Sequence, residues 1–415
     1  MYNQAKEYYD GLATFRKKRN RCRDYTYGRQ WNDIIEVDGR RVTEYEYILS
    51  EGNVPLKNNL IRRIVRNVIG VFRSRLPEIM EKSYGEDLMN IARQNSLDEL
   101  FCRTLEEFLI SGMAIHRKRL AAIHGKPGVR TEIVSPGCFF FNTDSRDVRG
   151  WDIDMVGQVH RVTFNDWCRA FVRDRDGYVR AGALFDGGVK SVNVMEIWRR
   201  EIRPDFRVRH RKDGSAAFRD IWRYYFLNEK GETLLCGDSP YLDGSHPYVF
   251  KFYPYLDGEI QSFVGDLIDQ QRYTNRLITL YDWVIRASAK GVLLVPEDSI
   301  SPGNLRNMAD QWSRFNGVIV YKPKIGMPEP KQISGNISNL GISELLEIQL
   351  KMMEDVSGVN GILRGNASGG NMSGTLYESQ TANAMYSMAD LLETFQAFIR
   401  DNAAKDRMLF TQSHS

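Results

Sequence analysis

The chain has 415 residues, 42% apolar and 27% charged, the balance of a folded protein with room for two or three structural units. Its 57 Lys and Arg against 53 Asp and Glu leave a formal charge of +4, too little to mark a bulk nucleic-acid binder. The five cysteines, Cys22, Cys102, Cys138, Cys168 and Cys236, form no C-x-x-C pair. With no apolar signal core and no membrane-length run, reduced thiols in a soluble intracellular protein are expected.

Residues 1–124 read as helical. "YNQAKEYYDGLATFRKKRNRCRDY" is tyrosine-rich and carries a basic cluster of Arg16, Lys17, Lys18, Arg19, Arg21 and Arg23. Such a cluster is ordinarily a solvated helix face; the sharper reading is contact with DNA or with a neighbouring subunit's acids. "KNNLIRRIVRNVIGVFRSRL" sets Leu60, Ile61, Ile64, Val65, Val68, Ile69 and Phe72 at i, i+3, i+4 steps, with arginines opposite. "SLDELFCRTLEEFLISGMAI" opens on Ser96 and Glu99 at the spacing of a capping box.

From residue 125 to 256 the period shifts to two. "VRTEIVSPGCFFFN", "WDIDMVGQVHRVTF" and "VKSVNVMEIWRREI" are short β-rich runs broken by Gly, Pro, Asn and Asp. "WRYYFLNEKGETLLCG" predicts a hairpin turning at residues 228–231, and the whole region is expected to be mostly antiparallel β. "NTDSRD" bunches Asp144 and Asp147 in a loop; a turn held by side chain-to-backbone bonds is favoured there over a cation site. Trp151, Trp167, Trp198, Trp222, Trp283 and Trp312 are expected as core or interface anchors. None of the six histidines stands at ligand spacing with Cys or Asp, and His246, before a proline, is expected as a turn residue. No nucleophile elbow or Cys/His pair is present, so no catalytic residue, metal or cofactor is expected.

Residues 257–290 follow as one long helix with Asp257 as its N-cap. Ile260, Phe263, Val264, Leu267, Ile268, Leu277, Ile278, Tyr281, Val284 and Ile285 make an apolar stripe on a rod roughly 45 Å long. Residues 291–336 read as a compact insert: a strand in "GVLLVPE", a helix in "SPGNLRNMADQWSRF" and a second strand in "GVIVYKP". A second long helix, Ile342 onward, lies within residues 337–357. A last helix in residues 375–415 starts at a Thr375–Glu378 capping box and runs to near Phe410.

Between the last two helices lies "SGVNGILRGNASGGNMSGTL", with six glycines in twenty residues. A phosphate loop is excluded, because Asn371 and Met372 stand where Lys and Ser/Thr are needed and a helix, not a strand, precedes the loop. Arg364 is the only charge in residues 357–375. The plain alternative is a flexible linker.

This order of elements and phrases resembles a portal protein of tailed double-stranded DNA bacteriophages, over roughly residues 5–410. The matching phrases are "YGRQW", "NNLIRRIV", "HPYVFKFYPYLDGE", "DQQRYTN", "EDVSGVNGILRGN" and "NMSGT". The resemblance implies an α+β fold: a helical wing part at 1–124, a β-rich wing at 125–256 and stem helices at 257–290 and 337–357. Between the stem helices it implies a small α/β clip at 291–336, then a tunnel loop at 358–374 and a C-terminal wing helix at 375–415. Many portals continue into a helical crown, so a short or absent crown is expected.

It further implies a homo-oligomeric ring, a dodecamer in most such proteins, at one capsid vertex of the virion, assembled in the host cytoplasm. Double-stranded DNA would pass through without sequence specificity. Other implied partners are the terminase large subunit, a head-completion or adaptor protein, the major capsid protein and scaffold, and no membrane. Asn360, Arg364, Asn366, Ser368, Gly369, Gly370, Asn371 and Ser373 would face the DNA. Asn304, Arg306, Asp310, Gln311 and Arg314 would dock terminase and adaptor. A neutral Asn/Ser/Gly loop suits that place, because each cation on a phosphate adds affinity that would pin a sliding duplex. The rivals are another virion structural protein, such as an adaptor or minor capsid component, and a DNA-processing enzyme using the basic helix.

Overall fold

The computed structural model describes residues 1–414 except 124–125, 148, 205–217, 254, 257, 291, 295–305, 307, 309–325, 327–330, 334–340 and 360–387. The chain forms two units, a larger one of residues 1–27, 60–268 and 354–415 and a smaller one of residues 28–59 and 269–353.

The smaller unit begins with a hairpin of β1 (Ile34–Val37) and β2 (Arg40–Thr43). Its turn is Asp38–Gly39, both at positive φ (50° and 73°), the conformation a two-residue hairpin loop needs. The purely helical reading of residues 1–124 missed this hairpin, although Asp-Gly is a strong hairpin signal. Helix α3 (Glu44–Ser50) follows, with a complete capping box between Thr43 and Glu46. The unit also holds α8 (Phe263–Lys290) beyond Ile268, α9 (Ile342–Ser357) up to Met353, and an antiparallel pair of β13 (Val292–Leu294) and β14 (Lys331–Ile333). The strand predicted in "GVLLVPE" is β13; "GVIVYKP" and Trp312 lie outside the described residues.

In the larger unit, α1 (Tyr2–Gly11) and α2 (Ala13–Thr26) precede α4 (Leu60–Gln94), which breaks at Gly85 (φ 61°), and α5 (Leu97–Ser111). The predicted stripe on α4 is real: Ile61, Ile64, Val65, Val68 and Phe72 are buried. Ser96, in contrast, is left-handed (φ 49°) and makes no side-chain cap, so its capping box does not form.

Of these, α5 packs on a three-stranded antiparallel sheet, order β10-β3-β4, built from β3 (Met113–Ile123), β4 (Lys126–Ile133) and β10 (Tyr248–Phe252). The last helix, α10 (Ala389–His414), closes that core. Phe395 meets Phe72 at 5.3 Å and Phe108 at 5.5 Å between ring centroids, and Phe398 meets Phe101 at 6.3 Å. The capping box at Thr375 lies outside the described residues.

α10 is also tied down by a buried polar seam. Lys118 Nζ donates to Asp406 Oδ2 at 2.6 Å and to Thr131 at 2.9 Å, and Tyr84 donates to Asp406 at 3.1 Å. One turn earlier, His116 Nδ1 bonds Asn402 Oδ1 at 2.9 Å, and its Nε2 bonds the Thr104 hydroxyl at 2.7 Å.

A five-stranded antiparallel sheet runs in sequence order through β5 (Phe139–Phe141), β6 (Met155–Val162), β7 (Val192–Pro204), β8 (Phe218–Asn228) and β9 (Thr233–Asp238). The predicted hairpin is that of β8 and β9. The region is not only β: α6 (Phe164–Phe171) and α7 (Arg175–Leu184) interrupt it, and Trp167, Ala181 and Val194 form the buried contact between this pair and the sheet. Gly157 is obligatory in β6, since a Cβ there would lie 2.2 Å from the Glu196 carbonyl.

Buried Glu196 accepts from Arg117 at 3.0 Å, His160 at 2.6 Å and Trp198 at 2.7 Å, joining the two sheets. Burial pushes its carboxyl up, but those partners outweigh burial and hold it below the usual range. "NTDSRD" is a turn: Asp152 accepts from the Arg146 and Asp147 amides at 2.6 and 3.1 Å and from the Ser145 hydroxyl at 2.7 Å. Trp167 and Trp198 are buried; Trp151 is exposed under the Arg149 guanidinium, contrary to its expected place as an anchor. His246 is a turn residue, its Nδ1 accepting from the Tyr248 amide at 3.2 Å. The five cysteines are free thiols.

Candidate functional site

α8 starts later than its sequence suggests. A short hairpin, β11 (Tyr255–Leu256) with β12 (Glu259–Ile260), occupies the expected first turn, and Asp257 lies outside the described residues. The cap is Ser262, whose Oγ accepts from the Gly265 amide at 2.9 Å. From Phe263 the helix runs 28 residues without proline, about 42 Å.

The predicted stripe is buried at Val264, Leu267, Ile268, Leu277 and Val284, but it is not continuous. In the middle turns the buried face carries Gln271, Thr274 and Asn275 instead of apolar side chains. Thr274 bonds back to the Gln270 carbonyl at 2.9 Å, whereas Gln271 and Asn275 reach the segment around the hairpin. Asn275 Nδ2 donates to Gln30 Oε1 at 2.7 Å, and Gln30 Nε2 donates to Asn59 Oδ1 at 3.0 Å. Gln271 Nε2 donates to the Asn58 carbonyl at 2.7 Å and to Asn275 Oδ1 at 2.9 Å, and the Asn58 amide donates to Asn275 Oδ1 at 3.2 Å.

Three of the quoted phrases therefore meet at one place: "YGRQW" supplies Gln30, "NNLIRRIV" supplies Asn58 and Asn59, and "DQQRYTN" supplies Gln271 and Asn275. Sequence reading recognised the phrases but not their contact, since amides carry no periodic signal. Beside them, buried Glu44 at the start of α3 receives Arg272 and Arg276, the latter at 2.6 Å. Replacing Asn275 by Leu is expected to cost about 2–3 kcal/mol in denaturant titration, because the buried side chains of Gln30 and Gln271 and the Asn58 amide each lose one hydrogen bond. A cost below about 1 kcal/mol would show that the amides do not hold the helix.

Opposite these contacts α8 leaves a face open. Tyr273, Leu280 and Trp283 are between 44% and 48% exposed, so Trp283 is not a core residue of the single chain. Tyr281 and Ile285, members of the predicted apolar stripe, are exposed as well. α9 packs on α8 through Gln349, which donates to the Gln270 carbonyl at 3.4 Å, with Ile342 and Met353 buried. Its own outer face shows Leu345, Ile348, Met352 and Val356, between 44% and 51% exposed. Both long helices thus spend one face inside the chain and offer a second apolar one.

The basic cluster of α2 divides. Arg19 is buried, with two bonds to Glu107 at 2.6 and 2.9 Å, so it belongs to the core and not to a charged surface. Arg16 stacks on Tyr9 at 3.8 Å and donates to its carbonyl at 2.6 Å. Lys18 stands 3.6 Å from Glu259 with both ends exposed, and Arg21 lies over Tyr25 at 5.5 Å. Lys17 is exposed and Arg23 half-buried. Of the clip residues only Arg306 is among the described ones, exposed on a helical turn; Asn304, Asp310, Gln311 and Arg314 lie outside them. All eight loop residues, Asn360 to Ser373, also lie outside them. No described helix is long and apolar enough to cross a membrane, and no described group of His, Cys, Asp and Glu could hold a metal ion.

A search for relatives among curated proteins returns no match. The model of one family, described as phage P22-like portal protein, matches residues 2–405, almost the whole chain. With that match and an α+β architecture of helices on antiparallel sheets, the chain belongs to the P22-like phage portal protein family.

Proposed function

We propose that this chain works as the channel of the capsid vertex, through which DNA is packaged and later ejected, and as the platform for the terminase large subunit and head-completion proteins. The observation that carries the reading is the family match over residues 2–405; the family is a structural one whose members form a ring at that vertex. The open apolar faces of α8 and α9 support it, since a rod with unspent apolar surface gains by burying it against copies of itself, and a closed ring leaves no unpaired end.

In this reading residues 358–374 are the tunnel loop. Asn360, Asn366, Ser368, Asn371 and Ser373 offer a neutral hydrogen-bonding lining, and Arg364 is repeated once per subunit. Residues 291–336 are the clip, with Asn304, Arg306, Asp310, Gln311 and Arg314 as its docking residues. The chain does no chemistry of its own, resides in the virion and assembles in the host cytoplasm together with major capsid protein and scaffold. Lys17 and Arg21 on α2 are contacts for DNA or for a neighbouring subunit.

End-on electron microscopy of the purified protein is expected to show a ring with a central hole; a compact monomer at every concentration overturns the reading. In a packaging assay, Asn366→Lys with Ser368→Lys and Asn371→Lys is expected to slow or stall DNA entry while rings stay intact, because added cations grip the phosphates. Undiminished packaging would remove the loop from the channel.

A further inference from the structure

Helix α4, in the larger unit, carries an open surface of its own. Between residues 60 and 77 it holds five arginines and no carboxylate. Arg62 is spent on Glu106. Arg63, Arg66 and Arg73 are exposed, and none of them meets a carboxylate among the described residues. They fall at i, i+3 and i+10, one face of the helix, and Gly70 at i+7 continues the row without a side chain. No described atom stands within 4 Å of where a Gly70 Cβ would lie, so the face is uncovered there.

The row runs into an apolar trough. Across the break at Gly85 the two parts of α4 line one cavity of about 480 Å³, with Leu76, Pro77 and Met80 before the break and Met89 and Ala92 after it. Arg73 and Arg93 stand on its rim, both exposed, and Asp98 of α5 is the single acid among its described lining residues. Pro77 is exposed and Met89 half-buried, so the trough opens to solvent. Two methionines give it a floor that adapts to the side chains seated on it.

A duplex would use the arginines and leave the trough empty, since it offers phosphates and sugars but no apolar side chain. A small apolar ligand would use the trough and leave the arginines idle, because Arg63 lies about 21 Å along the helix from Pro77. An amphipathic helix uses both, laying apolar anchors in a groove and charges along its edge.

We propose that this surface docks an acidic amphipathic helix of another protein, with its apolar side chains in the trough and its carboxylates along Arg63, Arg66, Arg73 and Arg93. The arginines steer the encounter and fix the orientation, and the desolvated apolar anchors supply the affinity. The proposal goes beyond the channel reading and does not rest on it.

Fluorescence anisotropy of the purified, assembled protein tests it. The probe is a labelled peptide of about 14 residues with leucines on one helical face and glutamates beside them. Saturable binding is expected, weakened about tenfold or more by Arg73→Glu with Arg93→Glu, and likewise by changing the peptide's leucines to serines. Both arginines are exposed, so the charge reversal leaves the core of the larger unit untouched. A photo-reactive group in place of one leucine is expected to cross-link within residues 73–98. Cross-linking elsewhere, or binding indifferent to the double reversal, overturns the proposal. A serine peptide that binds equally well overturns it too, reducing the surface to a charged patch. Tighter binding of a duplex of about 20 base pairs through the same arginines overturns it in favour of a nucleic-acid contact. Peptide binding by dilute single chains but not by the assembled protein overturns it in favour of a second copy as the occupant.

Discussion

Replacing Lys118 by Met is expected to cost about 3–5 kcal/mol of stability, the largest effect of any single substitution considered for this protein. Lys118 and Asp406 are both fully buried, with 2.6 Å between Nζ and Oδ2. Burial drives the two groups toward their neutral forms, raising the Asp406 carboxyl and lowering the Lys118 amine, while their mutual attraction opposes this. Met fills the space of the lysine stem but leaves the carboxylate with only the Tyr84 hydroxyl, and its Oδ1 already has no hydrogen-bond partner among the described residues. The carboxyl must then stay charged without a counter-ion or take up a proton, and either outcome is costly.

The double replacement Lys118→Met with Asp406→Leu removes both charges and is expected to recover most of the loss, since a buried pair and an apolar pair of similar size differ little. Denaturant titration of the four proteins in a double-mutant cycle measures the difference. A single-variant cost below about 1 kcal/mol would show that the pair contributes little to holding α10.

Acidification from neutral to pH 4 is expected to destabilise the larger unit by on the order of 3 kcal/mol through His116 alone. Burial, reinforced by the nearby Lys118 charge, lowers this imidazole from 6.5 to about 3. The folded chain keeps the ring neutral, with Nδ1–H donating to Asn402 and Nε2 accepting from the Thr104 hydroxyl. An unfolded chain binds the proton from pH 6.5 downward, whereas the folded one resists until about 3. The stabilisation is therefore complete above 6.5 and drains as pH falls toward 3.

His246 acts in the same direction, lowered to about 3 by burial and by Lys405 against the opposing Asp243. His116→Gln keeps a polar group at the site but cannot titrate. Its stability should fall less steeply with pH by about one proton's worth across that window. Equal slopes in both proteins would show that the folded ring takes up the proton.

Much of the fold is legible along the chain. The α4 stripe at Ile61, Ile64, Val65, Val68 and Phe72, the β8–β9 hairpin and the long helices α8 and α9 all follow from patterns within a few residues. Such patterns are read correctly because the hydrogen bonds and side-chain periods that they encode are themselves local. The misreadings arose where a local pattern competed with something distant. Ser96 has capping-box spacing, but its backbone is left-handed where α4 meets α5. Arg19 looks like one cation among six, until Glu107 arrives from 88 residues away.

The sequence by itself determined the family, the class of fold and the presence of two long amphipathic helices, since apolar spacing and characteristic phrases are written in consecutive residues. Only the tertiary structure decided what those phrases do. Buried Gln30, Gln271 and Asn275, joined by the half-buried Asn59 side chain and the Asn58 backbone, form one polar cluster on the side of α8 that turns inward. An amide shows no preference for any partner until folding removes water and obliges each buried donor and acceptor to find one. The choice among many equivalent partners is made by the packing of the whole chain.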